Sequence, residues 1–79
     1  MKIEIFGPGC AKCNNLEKLV KEIVAELNIP AEVVKISDIN EMVNRGVMVV
    51  PALFIDGKKK SEGKVPSKEE IEKWLQGGQ

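Results

Sequence analysis

The chain reads as an α/β domain in which a mixed four-stranded sheet is covered by three helices. Three observations predict it. Apolar residues alternate with polar ones over short segments, they recur at three- and four-residue steps over a longer one, and an Asp-Gly pair joins two strand-like runs. The predicted order is strand, helix, strand, helix, strand, strand, helix. A strand–helix–strand start implies parallel pairing through a right-handed crossover, and the hairpin adds an antiparallel strand.

Lys2 to Phe6 is expected as the first strand, with Ile3 and Ile5 alternating with polar neighbours until Gly7-Pro8-Gly9 stops it. The segment from Cys10 to Asn28 is expected as a helix. Its Cys13, Leu16, Leu19, Val20, Ile23, Val24 and Leu27 form one apolar stripe, Glu17 and Lys21 pair on the wet side, and Ile29-Pro30 ends it. Ala31 to Ile36 is rich in β-branched residues and reads as the second strand. Asp38 then caps a short helix, with Glu41 at the capping-box position and Gly46 as its stop. Ala52 to Ile55 and Lys58 to Glu62 flank Asp56-Gly57, a two-residue hairpin signal. Ser67 and Glu70 form a second capping box before a last helix carrying Ile71, Trp74 and Leu75, and Gly77-Gly78-Gln79 is expected as a frayed end. Trp74 is expected as a core anchor. Lys58, Lys59 and Lys60 fall on the last strand, where repeated lysine protects a sheet edge from pairing with another chain.

With 79 residues the chain is expected to be one domain spanning 1–79, with little margin of stability. Twelve basic and twelve acidic side chains cancel, so no global field steers the protein toward nucleic acid or anionic lipid. No apolar run approaches the roughly 20 residues needed to span a bilayer. The four-residue apolar segment after Met1-Lys2 is too short for a signal-peptide core. The expectation is a cytoplasmic monomer without cofactor, metal, nucleic-acid or membrane partner. Disulfides are seldom structural in that compartment, and a bridge between two cysteines three apart closes too small a loop to restrict the unfolded chain much. The pair is therefore a candidate for chemistry.

Residues three apart on a helix lie about 5–6 Å from each other, close to disulfide geometry. Cys10 falls where a glycine loop enters a helix, so unpaired N–H groups and the positive end of the helix dipole favour its thiolate, the attacking species, and Lys12 adds positive charge. Cys13 continues the apolar stripe and should point inward. That asymmetry gives each a role: Cys10 attacks a disulfide of a partner, and Cys13 then attacks the Cys10 sulfur and releases the reduced partner. The plain alternative is two incidental thiols, one in the core and one at the surface.

Four segments carry a resemblance: Lys2-Ile-Glu-Ile-Phe-Gly, Cys10-Ala-Lys-Cys13, Gly46-Val-Met-Val-Val-Pro-Ala-Leu-Phe-Ile-Asp-Gly57 and Gly63-Lys-Val-Pro-Ser67. They cover nearly the whole chain, which resembles the thioredoxin superfamily and within it the small redox-active disulfide protein 2 group. The resemblance implies a thioredoxin-like, glutaredoxin-like fold and a thiol–disulfide oxidoreductase activity. It also implies a disulfide-containing protein substrate and a thiol or flavoprotein reductase as electron donor. Pro51 fits the position of a cis proline beside the cysteines, and the backbone of Val50 is then implied to bind an extended partner segment. Read from the residues alone, Pro51 is an ordinary strand starter, and it is the resemblance that turns the reading to a cis proline.

The chain departs from the pattern of the family it resembles in ways that matter. Ala11 and Lys12 stand between the cysteines, Gly9 rather than tryptophan precedes Cys10, and Val49 and Val50 precede Pro51 without a hydroxyl residue. Glu4 lies six residues before Cys10, the spacing of a buried acid that assists the second cysteine in thioredoxins. Covered, Glu4 would have a raised pKa and act as a base toward Cys13; open, it is a solvated strand residue, which is the expectation adopted. Three rival functions are a copper- or zinc-binding module using the same two thiolates, a glutathione-dependent variant, and an interaction domain with idle thiols. With no histidine and no third cysteine, a closed four-ligand zinc site would need two chains.

Overall fold

The computed structural model of the protein describes residues 1–9 and 11–76. Cys10, expected at the head of the first helix, and residues 77–79, expected as a frayed end, lie outside the described residues. The elements follow the expected order: β1 Lys2–Phe6, α1 Ala11–Leu27, β2 Glu32–Ile36, α2 Ile39–Asn44, β3 Ala52–Ile55, β4 Lys58–Glu62 and α3 Lys68–Leu75. The strands lie in the order β2-β1-β3-β4, with β1 and β2 parallel and the other two pairings antiparallel. This is the mixed α/β sheet with three helices that the pattern predicts.

Alternation along the central strands sorts the side chains between two faces. Ile3 and Ile5 of β1 stand beside Ile55 and Leu53 of β3 on one face. There they pack with Leu16, Val20 and Ile23 of α1 and Ile71 and Leu75 of α3 in the larger core. Phe6, Ala52 and Phe54 occupy the opposite face with Met42 of α2. Of the predicted stripe, α1 buries Cys13, Leu16, Val20 and Ile23, and leaves Leu19, Val24 and Leu27 half-buried against the core. It ends at Leu27 because Asn28 turns to φ +54°, and Asn28 and Ile29 donate back to the Ala25 and Val24 carbonyls. That is a Schellman stop with asparagine in place of glycine. β2 starts at Glu32, one residue later than expected, since the Ala31 N–H is turned toward the Ile29 carbonyl.

Turns and caps follow their local chemistry. Asp56 and Gly57 both have positive φ, 51° and 83°, as a type I′ hairpin requires. Ser67 and Glu70 complete a reciprocal capping box on α3. Asp38 caps α2 differently from the expectation: its side chain accepts from the Asn40 N–H, one residue before the position a capping box with Glu41 would use. β4 is an edge strand, as its lysines suggested. It carries a bulge at Lys60, because Leu53 and Phe54 pair with Ser61 and Lys59. No helix among the described residues is long and apolar enough to cross a membrane.

Candidate active site

The carboxyl end of β1 runs into Gly7-Pro8-Gly9 and then into α1. Gly7 is pinned by its N–H to the Ile36 carbonyl of β2, 2.9 Å away. Its bare Cα lies against Cys13: a Cβ built at Gly7 would fall on the Cys13 sulfur and 2.9 Å from the Cys13 Cβ. Glycine is required there by close approach, because any side chain would occupy the place of the thiol. Cys13 itself is fully buried in the first turn of α1, as the apolar stripe predicts.

The next residues of the loop are fastened from outside. Gly9 adopts φ +93°, and its carbonyl accepts from Asn14 Nδ2 at 3.3 Å. Asn14 Oδ1 in turn accepts from Lys35 Nζ of β2 at 2.7 Å, and Lys35 also lies 3.9 Å from Glu17. Asn14 of the helix thus holds the residue that precedes Cys10, and Lys35 of the strand holds Asn14. Neither was singled out by the sequence, since a polar residue on the wet face of α1 and an alternating lysine in β2 carry no local signal of partnership.

Val50 and Pro51 lie at the head of β3. Their peptide bond is cis, Pro51 is buried, and Val50 is half-buried against the smaller core. The Pro51 carbonyl accepts from the Gly63 N–H at 2.8 Å. Among the described residues, the Val50 backbone makes no hydrogen bond. The candidate residues that the structure describes are therefore a buried thiol at the start of α1 and a main-chain segment with unused pairing groups at the start of β3.

Glu4 is not the solvated residue expected of it. It is 6% exposed, and both of its carboxylate oxygens are taken by Arg45, with Nη1 to Oε2 at 2.9 Å and Nη2 to Oε1 at 2.8 Å. The Arg45 guanidinium lies 4.8 Å from the Phe54 ring centre and 5.3 Å from that of Phe6. The covered alternative, a base with raised affinity for protons, is not met either. The Arg45 hydrogen bonds hold the Glu4 carboxyl below its usual range, outweighing the burial that would push it up. Glu4 is a bidentate anchor for the end of α2, while α1, which carries Cys13, packs on the other face. The pairing joins residues 41 apart, so no spacing in the sequence could have announced it.

The family model described as thioredoxin domain matches residues 1–76. A curated thioredoxin of Methanothermobacter thermautotrophicus is 48% identical over 75 residues, which cover 95% of this chain and 97% of that protein. One of Methanocaldococcus jannaschii is 48% identical over 73 residues, 92% of this chain and 84% of the other. Together with a fold that sets a buried Cys-x-x-Cys thiol at the head of α1, these similarities settle the kinship: the chain belongs to the thioredoxin-domain family of thiol–disulfide oxidoreductases.

Proposed function

We propose that the protein reduces disulfides of other proteins through a Cys10–Cys13 dithiol. The observation that carries this reading is the burial of the Cys13 sulfur against Gly7, where the chain leaves β1 on its way to α1. The Cys10 thiolate attacks one sulfur of the substrate disulfide and bonds to it, and the other substrate sulfur leaves as a thiolate and takes up a proton. Cys13, deprotonated, then attacks the Cys10 sulfur and expels the substrate sulfur bonded to it. Two electrons and two protons have passed to the substrate, and a Cys10–Cys13 disulfide remains. An external thiol or flavoprotein reductase returns it to the dithiol.

Val50 and Pro51 supply the docking edge in this reading. The unused Val50 N–H and C=O can pair with an extended segment around the substrate disulfide, as a strand is added to a sheet edge. In this reading residues 1–79 form a single thioredoxin-like domain that carries the site.

Thiol trapping across a series of redox buffers, read by mass spectrometry, tests the couple. A reversible two-electron transition that is absent from Cys10→Ser, with Cys13→Ser accumulating a mixed disulfide with substrate, is the expected result. Full disulfide-reducing activity in Cys10→Ser would overturn the assignment. No intramolecular disulfide anywhere in the series would put the soft-metal reading first.

A further inference from the structure

We infer that Glu62 of β4 is a positioning residue for substrate docking, holding the backbone of residues 48–51 in the conformation that receives a protein substrate. The inference rests on the proposed role of Val50 and Pro51. Glu62 Oε2 accepts from the main-chain N–H groups of both Met48 and Val49, the second at 3.1 Å, immediately before Val50. Lys59 Nζ bridges the other Glu62 oxygen, at 3.2 Å, to the Gly46 carbonyl, at 3.1 Å. The bulge at Lys60 makes this possible, because it leaves Lys59 and Glu62 paired with Phe54 and Ala52, on the face of the sheet where the loop lies.

The fastening continues into the next residue. Gly63 donates to the Pro51 carbonyl at 2.8 Å and has φ +78°, and a Cβ there would come within 2.8 Å of Val49 Cγ1. Lys59 and Glu62 of β4 and the Gly63 that follows it therefore grip the segment at Gly46, Met48, Val49 and Pro51. Packing does not hold the middle of it, since Met48 is 89% and Val49 54% exposed. The Met48 N–H bond foremost, then Val49 and Lys59, keep the Glu62 carboxyl below its usual range, so it remains a charged acceptor at neutral pH. The exposed middle of the loop, Met48 and Val49, is ordered by main-chain hydrogen bonds, and the two on Glu62 fall next to the docking edge. Small disulfides, which need only reach Cys10, should not depend on them.

The test compares insulin, as a disulfide-bonded protein, with hydroxyethyl disulfide, as a small one, using dithiothreitol as the electron source. Glu62→Ala is expected to raise KM for insulin by about five- to tenfold, leaving kcat, the small-disulfide rate and the thiol titration within about twofold. Glu62→Gln, which keeps an acceptor oxygen, should recover much of the KM, and Lys58→Gln on the same strand should behave as wild type. An unchanged insulin KM in Glu62→Ala, or equal losses with both disulfides, would overturn the positioning role. Failure of the underlying reading looks different: Cys10→Ser would then retain insulin reduction, and the inference would fall with it.

Discussion

The two faces of the sheet can be set side by side. On the first, Ile3, Ile5, Leu53 and Ile55 meet the apolar stripes of α1 and α3 in a continuous hydrocarbon core. On the second, Phe6 and Phe54 meet in a tilted contact with ring centres 4.9 Å apart, α2 contributes Met42, and the Arg45 guanidinium covers the rings while gripping Glu4. The first face is held by many interchangeable contacts. The second is held by one small cluster in which a charged pair and an aromatic pair depend on each other. The 17-residue α1, joined by α3, supplies apolar area along a stripe that meets the sheet, whereas the six-residue α2 must be fixed at a point. The face with the lesser apolar core also adjoins the Val50–Pro51 segment, so directional contacts prevail where substrate is proposed to dock.

The comparison predicts different costs for damage on each side. The largest expected effect is on the hydrocarbon face. Leu16→Ala should destabilise by about 3 kcal/mol through lost burial and a residual cavity, out of about 4–12 kcal/mol available to a domain of this size. Thermal unfolding should move down by about 12 °C or more. A shift of only a few degrees would mean that α1 repacks and that the two faces are less unlike than they look.

Next comes the charged anchor. Arg45→Met leaves the Glu4 carboxylate covered and unmatched, and it should cost about 2 kcal/mol, less than for a fully buried pair because the Arg45 side chain is 28% exposed. Adding Glu4→Gln should return part of that loss, since the two residues are directly coupled. A strictly additive double mutant in urea unfolding would show that the pair contributes nothing as a pair.

Caps separate the faces more finely. Ser67→Ala removes a reciprocal box from α3 and should cost about 1 kcal/mol, whereas Asp38→Ala removes a single bond from α2 and should cost about 0.5 kcal/mol. Chemical denaturation of the two variants in parallel measures the ratio, and equal losses would remove this distinction between the helices.

The smallest effect is one of pH. Glu4 has a folded-state pKa below its ordinary value, so the unfolded chain binds the proton more readily. Its contribution is complete above the ordinary glutamate pKa, about 4.3, and is lost as pH falls through the folded-state value. Glu62 and Glu70 shift in the same direction, so acid unfolding of wild type has several sources. The share belonging to the second face is the difference between wild type and Glu4→Gln, whose stability should fall less between neutral pH and pH 3.

What could be read in the sequence follows the range of the interaction. The stripe of α1, the Asp56-Gly57 hairpin, the Ser67 cap and the edge position of the lysine strand each depend on residues within a turn or two, and each is found in place. Glu4 shows where such reading stops. Alternation puts it opposite Ile3 and Ile5, but whether that face is wet, apolar or occupied by a guanidinium depends on where α2 comes to rest.

The sequence by itself therefore determined the order of strands and helices, their main caps and turns, the inward aim of Cys13 and the kinship carried by its motifs. Periodicity and capping act over a few residues, and the energy that sets them is written in neighbouring side chains. Only the tertiary structure decided that Arg45 neutralises Glu4, that Gly7 makes room for the Cys13 sulfur, and that Glu62 grips the segment before Pro51. Those contacts join elements distant along the chain. A charged or polar side chain takes whichever partner the packed backbone brings within about 3 Å of it, and only the finished fold sets that distance.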